Sequence, residues 1–113
     1  MNRIDGGVTG AQGFKAAGIC AGIKKDRKDM AMLYSEVPCT LAGTFTSNLV
    51  KASPVVWDRN IVRTYGSAQV CVMNSGIANA CTGSQGDKYC RESARAAADA
   101  LGLAPEQVLL AST

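Results

Sequence analysis

The apolar residues of the chain fall into short runs separated by polar turns, a pattern typical of a protein built on a β-sheet. Residues 14–23 and 30–34 are two such runs, joined by a charged turn at residues 24–29, and this arrangement predicts a β-hairpin. The glycine-rich stretch at residues 6–13 cannot hold a helix or a long strand and predicts an entry loop. Pro38 predicts the end of the second strand, because proline cannot donate a hydrogen bond to a ladder.

The middle of the chain carries weaker signals. Residues 41–46 predict a third strand, and residues 53–57 predict a fourth with Pro54 near its start. The next segment, at residues 58–65, is ambiguous. It is compatible with a short helix capped by Asp58, because its apolar residues recur on one side.

The last third of the chain predicts a strand, a helix and a final strand. Residues 69–73 are almost continuously apolar, as expected for a strand that is covered on both faces. A helix follows, with Ser84 as its N-cap and Gly102 at its end, and residues 108–110 form the last strand. One face of the helix carries small residues and a leucine: Cys90, Ala94, Ala97 and Leu101. Strands and helices of this kind predict the α+β class.

Composition restricts the chain to one modest core. It has 113 residues, of which 47% are hydrophobic and 19% charged, and these values indicate a globular protein of one domain or less. The net charge of +3 arises from basic residues that cluster only at 24, 25, 27 and 28, where Asp26 interrupts them. A nucleic-acid surface requires a longer basic stripe with aromatic residues, so we interpret this cluster as a solvated turn.

Several other classes of protein are disfavoured. The five cysteines are widely and irregularly spaced, and the chain contains no histidine, so neither a disulfide framework nor a zinc site is expected. The cysteines are predicted to be small buried hydrophobes in a reducing compartment. The sequence has no run of about twenty apolar residues and no signal-peptide core behind Arg3, which predicts a cytoplasmic protein.

The absence of histidine also excludes a Ser-His or Cys-His nucleophile within this chain. The glycine-rich entry has no lysine followed by serine or threonine, so it does not match a phosphate-binding loop. What remains are hydroxyl and amide side chains at strand ends, which can donate hydrogen bonds to a developing oxyanion. On spacing alone, these residues are more typical of turns. They are Asn74, Ser75, Asn79, Thr82, Ser112 and Thr113.

One of these loops resembles a known signature. Residues 72–83 have the sequence Val-Met-Asn-Ser-Gly-Ile-Ala-Asn-Ala-Cys-Thr-Gly, which is similar to the Val-Asn-Ser-Gly-Asn-Ala-Asn-Ala-Cys-Thr-Gly run of the ornithine acetyltransferases, also called glutamate N-acetyltransferases. Residues 6–18 and 45–55 resemble the corresponding parts of the same family, so the resemblance covers nearly the whole chain. Ile77 stands where the family usually has asparagine, so one amide of the loop is missing.

The resemblance implies a fold and an activity. Members of this family are proenzymes that cut themselves before a nucleophilic threonine and form a four-layer αββα sandwich of the self-processing aminopeptidase type. Two alpha and two beta chains make a heterotetramer in the cytoplasm. The enzyme moves an acetyl group from N-acetylornithine to glutamate in arginine biosynthesis. Neither a cofactor nor a metal is expected, although acetyl-coenzyme A is an additional donor in some members.

On this resemblance, residues 1–113 are one incomplete domain, the N-terminal part of the alpha chain, and are expected to be inactive alone. Thr113 matches the threonine of the Thr-Gly pair that helps to form the oxyanion hole, while Asn74 and Asn79 are assigned as its supporting loop. Two alternatives stay open. The chain could be a non-catalytic interaction module that docks its open sheet edge on a partner chain, or it could belong to the related self-processing aminopeptidases.

Overall fold

The fold combines a four-stranded sheet with two α-helices. A computed structural model describes residues 1–76, 78 and 83–113. Short 3₁₀ turns at Val8–Gly10 and Pro105–Gln107 precede β1 and β4. In chain order the main elements are β1 (Phe14–Ile19), β2 (Met30–Thr40), α1 (Ser53–Thr64), β3 (Ser67–Asn74), α2 (Gly83–Leu101) and β4 (Val108–Ser112).

The sheet has the strand order β1-β2-β3-β4. β1, β2 and β3 are antiparallel neighbours, which confirms the predicted hairpin, whereas β4 runs parallel to β3. A parallel neighbour requires a crossover, and α2 supplies it. The carboxyl ends of β3 and β4 therefore lie side by side at one end of the sheet, where Asn74 pairs with Ser112. The β1–β2 turn reaches the same end, because Met30 pairs with Asn74.

The helices pack on one face of the sheet through small side chains. The core cluster joins Val70 of β3 and Val108 and Leu110 of β4 to the small-residue face of α2. Alanine and cysteine let the helix approach the strands closely, and this confirms the face predicted from the sequence. The buried members contributed by α2 are Cys90, Ala94, Ala97 and Ala98.

The opposite face of the sheet is apolar and is covered by neither helix. The strand register places Leu33, Cys71 and Leu109 in one row across β2, β3 and β4, and all three are only half-buried. Together with Phe14 and Leu41 they line a shallow groove of about 100 Å³. We call this surface the open face. The prediction that β3 is buried on both faces is therefore confirmed only for the face that packs against the helices.

Two predicted strands in the middle of the chain are wrong. Residues 53–57 are not a strand but the start of α1, in which Pro54 occupies the first turn; proline fits there because the first turn leaves its N–H groups unpaired anyway. The predicted short helix is therefore part of α1, and Asp58 lies within it and does not cap it. Residues 41–46 leave the sheet after the Leu41 N–H donates to the Gly66 carbonyl.

Other predicted boundaries also shift. β1 ends at Ile19 and not at residue 23. β2 continues past Pro38 to Thr40, with an irregular register between Tyr34 and Cys39; proline is tolerated at such a bulge because the ladder is already interrupted there. Helix α2 already includes Gly83, so Ser84 lies in its first turn and is not its N-cap. None of the helices in the described ranges is long and apolar enough to cross a membrane.

The carboxyl end of α2 is closed as the sequence predicts. Gly102 adopts a left-handed conformation with a φ of 69°. The Leu103 N–H donates to the Ala98 carbonyl at 2.8 Å, and the Gly102 N–H donates to the Asp99 carbonyl at 3.4 Å. This pair of bonds is a Schellman motif, which satisfies carbonyls that have no partner within the helix. The motif turns the chain from α2 towards β4.

Replacing Gly102 with alanine is expected to lower the free energy of unfolding by about 1 kcal/mol, because a Cβ is disfavoured at positive φ. Urea-induced unfolding measures the change. Gly7→Ala is the matched control: Gly7 has a φ of −113°, and a Cβ at either glycine would meet nothing within 4 Å. Equal stabilities for the two variants would contradict the role of the left-handed conformation.

Candidate functional site

The carboxyl ends of β3 and β4 bring two of the predicted site residues together. The Thr113 N–H donates to the Asn74 carbonyl at 3.1 Å, and the Gly76 N–H donates to the Thr113 carbonyl at 2.7 Å. The Ser112 hydroxyl donates to Oδ1 of Asn74 at 2.7 Å. Because the amide of Thr113 is committed to Asn74, the donor that Thr113 still offers to a ligand is its side-chain hydroxyl. We call these four residues the strand-end cluster.

The other loop residues named from the sequence divide into two groups. Ser75 lies beside the strand-end cluster, and its N–H donates to the carbonyl of Asp29 at 2.8 Å. Asn79 and Thr82, like the unusual Ile77, lie outside the described residues. Support of the site by Asn79 therefore stays a prediction.

A cavity of about 470 Å³ lies next to the strand-end cluster, between the sheet and the first half of α2. Its volume is within the range of small-molecule sites. The walls are mainly apolar, with Met30 and Val72 from the sheet and Tyr89 from α2. Asn74 and Ser112 supply polar atoms at one end.

Asp29 fixes the β1–β2 turn next to the site. Its carboxylate accepts hydrogen bonds from the backbone N–H groups of Ala21 and Ile23, both at 2.6 Å, and of Lys24 at 2.8 Å. These bonds lower the pKa of Asp29 below its ordinary value of 3.8. The residue is only 3% exposed. The prediction of a solvated turn is confirmed for its lysines other than Lys24, which is half-buried. The prediction is wrong for Asp29.

Helix α1 is attached to the outer edge of β4 by two side chains. The indole N–H of Trp57 donates to the Val108 carbonyl at 2.8 Å, and Oδ1 of Asp58 accepts from the Leu110 N–H at 2.9 Å. Burial raises the pKa of Asp58 to about 6, and the bond from Leu110 offsets this only in part. Neither contact is predictable from local sequence, since they join residues 51 and 52 positions apart.

The cysteines differ in exposure more than predicted. Cys90 is buried in the core, Cys39 and Cys71 are half-buried, and Cys20 is exposed; the fifth, Cys81, lies outside the described residues. The prediction of buried hydrophobes is confirmed for Cys90 and wrong for Cys20. Burial, followed by the charge of Asp58, raises the pKa of the Cys71 thiol, so Cys71 is a poor nucleophile at neutral pH.

Solved structures that share this arrangement define its class, an α+β fold seen in arginine-biosynthesis enzymes. The crystal structure of the arginine biosynthesis bifunctional protein ArgJ from Bacillus halodurans aligns with a TM-score of 0.89 and 35% identity, covering 95% of this chain and 56% of that one. Ornithine acetyltransferase from Mycobacterium tuberculosis, complexed with ornithine, aligns with a TM-score of 0.87 and 39% identity, covering 95% and 59%.

The particular family follows from sequence. The ArgJ family model matches residues 15–113, and the chain belongs to this family. It is 51% identical over 111 residues to the bifunctional protein ArgJ of Gloeobacter violaceus, covering 97% of this chain and 27% of that protein. Identity to the Symbiobacterium thermophilum protein is 53% over 116 residues, covering 100% and 29%. The resemblance noted from residues 72–83 is thereby confirmed, and the chain spans less than a third of these relatives.

Asp29→Asn is expected to loosen the β1–β2 turn, because a neutral amide accepts backbone hydrogen bonds less strongly than a carboxylate. Amide hydrogen exchange at Ala21, Ile23 and Lys24 should become faster. The pKa of Asp29 is lowered in the folded protein, so its carboxylate contributes its full amount to the free energy of unfolding above pH 3.8. This contribution, which asparagine lacks, is lost as the pH falls through the folded pKa.

Asp26→Asn is the control for this substitution. It removes a charge from the same turn at a residue with a φ of 56°, a conformation that asparagine tolerates. It touches none of the bonds to Asp29. If Asp26→Asn accelerates exchange as much as Asp29→Asn does, the charge of the turn controls the exchange rate and the hydrogen bonds to Asp29 do not.

Proposed function

We propose that this chain is the N-terminal segment of the alpha chain of a glutamate N-acetyltransferase in arginine biosynthesis. The complete protein transfers an acetyl group from N-acetylornithine to glutamate. The observation that carries the proposal is the meeting of Thr113 with Asn74 at the ends of two parallel strands, in a chain that belongs to the ArgJ family. Thr113 contributes to an oxyanion hole there, and Asn74 supports it.

The chemistry is acyl transfer in two steps. The hydroxyl of a threonine in the remainder of the protein attacks the acetyl carbonyl, its proton passes to the leaving amine, and ornithine departs. The amine of glutamate then attacks the acetyl ester, a proton returns to the threonine oxygen, and N-acetylglutamate leaves. The hydroxyl of Thr113 donates a hydrogen bond to the carbonyl oxygen as that oxygen becomes negative in each step.

The geometry favours the hydroxyl of Thr113 over its amide as the donor. The amide is bound to Asn74 and the carbonyl to Gly76, so the backbone of Thr113 cannot rotate without breaking two hydrogen bonds. These bonds hold the Cα of Thr113, from which the hydroxyl extends, at the ends of β3 and β4, and donors that need little reorganisation stabilise an oxyanion best.

The substrates in this proposal are small amino acids and their acetylated forms. The Mycobacterium tuberculosis relative was solved with ornithine, which supports an ornithine-binding site in the complete protein. Acetyl-coenzyme A is a further possible donor, with no other cofactor and no metal required. The reaction belongs to the cytoplasm, where the other steps of amino-acid biosynthesis supply these substrates.

The partner in this proposal is the beta chain, which carries the nucleophilic threonine and the second sheet of the αββα sandwich. The open face supports it, since its half-buried row of Leu33, Cys71 and Leu109 would pack well against another sheet. Two alpha and two beta chains would form the heterotetramer.

The interaction-module alternative relies on an open sheet edge, and the sheet has two edges, at β1 and at β4. On the outer edge of β4, Trp57 and Asp58 occupy backbone groups, so a strand added there would have to displace both side chains. The edge at β1 is compatible with this alternative. Docking through the open face is compatible with either function, so a measurement of activity must separate them.

The deciding experiment compares the purified chain alone with the chain mixed with a separately expressed remainder of the protein. Acetyl transfer from N-acetylornithine to glutamate is expected only in the mixture, because in this proposal the nucleophilic threonine belongs to the remainder of the protein. Activity in the chain alone would contradict the assignment of the nucleophile. A stable complex without acetyl transfer would favour the interaction module, and hydrolysis of a peptide amide would favour an aminopeptidase.

Thr113→Val in the complete protein is expected to lower kcat by about a hundred- to a thousandfold, the usual loss for one oxyanion donor. Valine keeps the shape of the side chain and removes only the hydroxyl. Thr113→Ser is the matched control, since it keeps the donor and should retain most of the activity. If the valine variant turns over as fast as the serine variant, the hydroxyl is not the donor.

A further inference from the structure

We propose that Asp58, assisted by Trp57, is a positioning residue that holds β4 in place for the oxyanion donor. This inference rests on the proposed function of Thr113. Asp58 does not touch the substrate in this proposal. It acts through β4, whose last residue directly precedes Thr113.

The contacts of β4 divide between its two edges. On the inner edge it pairs with β3 from Val108 to Ser112. On the outer edge the Val108 carbonyl accepts from Trp57, and the Leu110 N–H donates to Asp58. Leu110 is three residues before Thr113, a distance of about 10 Å along an extended strand at about 3.3 Å per residue. The outer contacts therefore hold β4 in place to within three residues of Thr113.

The support behind these two side chains is rigid. Ile61 of α1 is 2% exposed, and Ser53 at the start of the helix is 8% exposed. Pro54 is also buried. The helix is thus anchored at its start and in its third turn, with Trp57 and Asp58 between the two anchors. The backbone of α1 beside β4 is therefore held in the core on both sides of Asp58.

The chemistry of Asp58 indicates a requirement for a hydrogen-bond acceptor at this position. Its carboxylate is half-buried, and burial disfavours its charge, as its raised pKa of about 6 shows. Among the described residues no ion pair compensates for this burial. An apolar residue would avoid that cost but would leave the Leu110 N–H without its partner. The benefit that offsets the cost is the bond to β4.

The hydrogen bond from Leu110 to Asp58 determines which replacement of Asp58 is tolerated. Asparagine keeps an oxygen at the position of Oδ1 and removes the charge that burial disfavours, so it can accept from Leu110 without the desolvation cost. Alanine removes the acceptor. The two variants therefore separate the hydrogen bond from the charge.

The experiment uses the complete ArgJ protein that contains this chain and measures kcat and KM for transfer from N-acetylornithine. We expect Asp58→Ala to lower kcat about tenfold with KM changed less than about twofold, since a misplacement of about 1 Å costs up to about a hundredfold. Asp58→Asn should keep at least about half of the wild-type kcat, because a carbonyl oxygen still accepts from Leu110. Trp57→Phe, which removes only the indole N–H, should give a smaller loss than Asp58→Ala.

A second measurement reports on β4 without relying on activity. Amide hydrogen exchange at Leu110 and Thr113 should become faster in Asp58→Ala and stay close to wild type in Asp58→Asn. Ala96→Gly is the stability control, because Ala96 is an exposed residue of α2 and glycine there weakens the helix without touching β4. It should leave kcat unchanged.

The outcomes separate this inference from the proposed function. A low kcat in Thr113→Val together with a wild-type kcat in Asp58→Ala would overturn the positioning role and leave the oxyanion assignment intact. A wild-type kcat in Thr113→Val would overturn the oxyanion assignment itself. Equal losses in Asp58→Ala and Asp58→Asn, or a loss in Ala96→Gly as large as in Asp58→Ala, would also overturn the positioning role.

Discussion

The parallel pairing of β3 with β4 is the constraint on which the rest of the structure depends. It places Asn74 opposite Ser112, so the loop after β3 and the residue after β4 meet at one edge of the sheet. The crossover that parallel strands require is α2, whose small residues fill the space above them. If β4 were antiparallel to β3, Thr113 would lie at the far edge and no strand-end cluster would form.

Two carboxylates stabilise this arrangement, and their pKa values are shifted in opposite directions. Asp29 accepts three backbone hydrogen bonds, and its pKa is lowered, so its ionised form is part of the folded structure at neutral pH. Asp58 accepts one such bond in a drier environment, and its pKa is raised to about 6. The first holds a turn against the loop after β3 and the second holds β4 against α1. Leu110 lies three residues before Thr113, and Asp29 meets the loop after β3 through its backbone carbonyl, which accepts from the Ser75 N–H.

The two faces of the sheet have different energetic roles. The helix face forms the core, in which Val108 is fully buried, and a fully buried valine or leucine contributes about 1.5–3 kcal/mol. The open face leaves its row of apolar side chains half in water, so part of the hydrophobic contribution of β2, β3 and β4 is not realised within the described residues. That unrealised burial is the physical reason for a second layer in the proposed assembly.

Local sequence by itself determined much of this protein: the β1–β2 hairpin, β3, α2 with its glycine stop, β4 and the family. Each depends on periodicity, on a capping residue or on a long motif, and these signals lie within a few neighbouring residues. The prediction of a strand at residues 53–57 is wrong because Pro54 suits the first turn of a helix as well as a strand end. Only the packing of Ile61 and Trp57 selects the helix. Tertiary structure alone decided that Asp29 is buried, that Asp58 bonds Leu110 and that Thr113 meets Asn74. The contacts of Asp58 and Thr113 join residues far apart in the chain, and the strand order that brings them together is set by the burial of the whole sheet, which no short window of sequence contains.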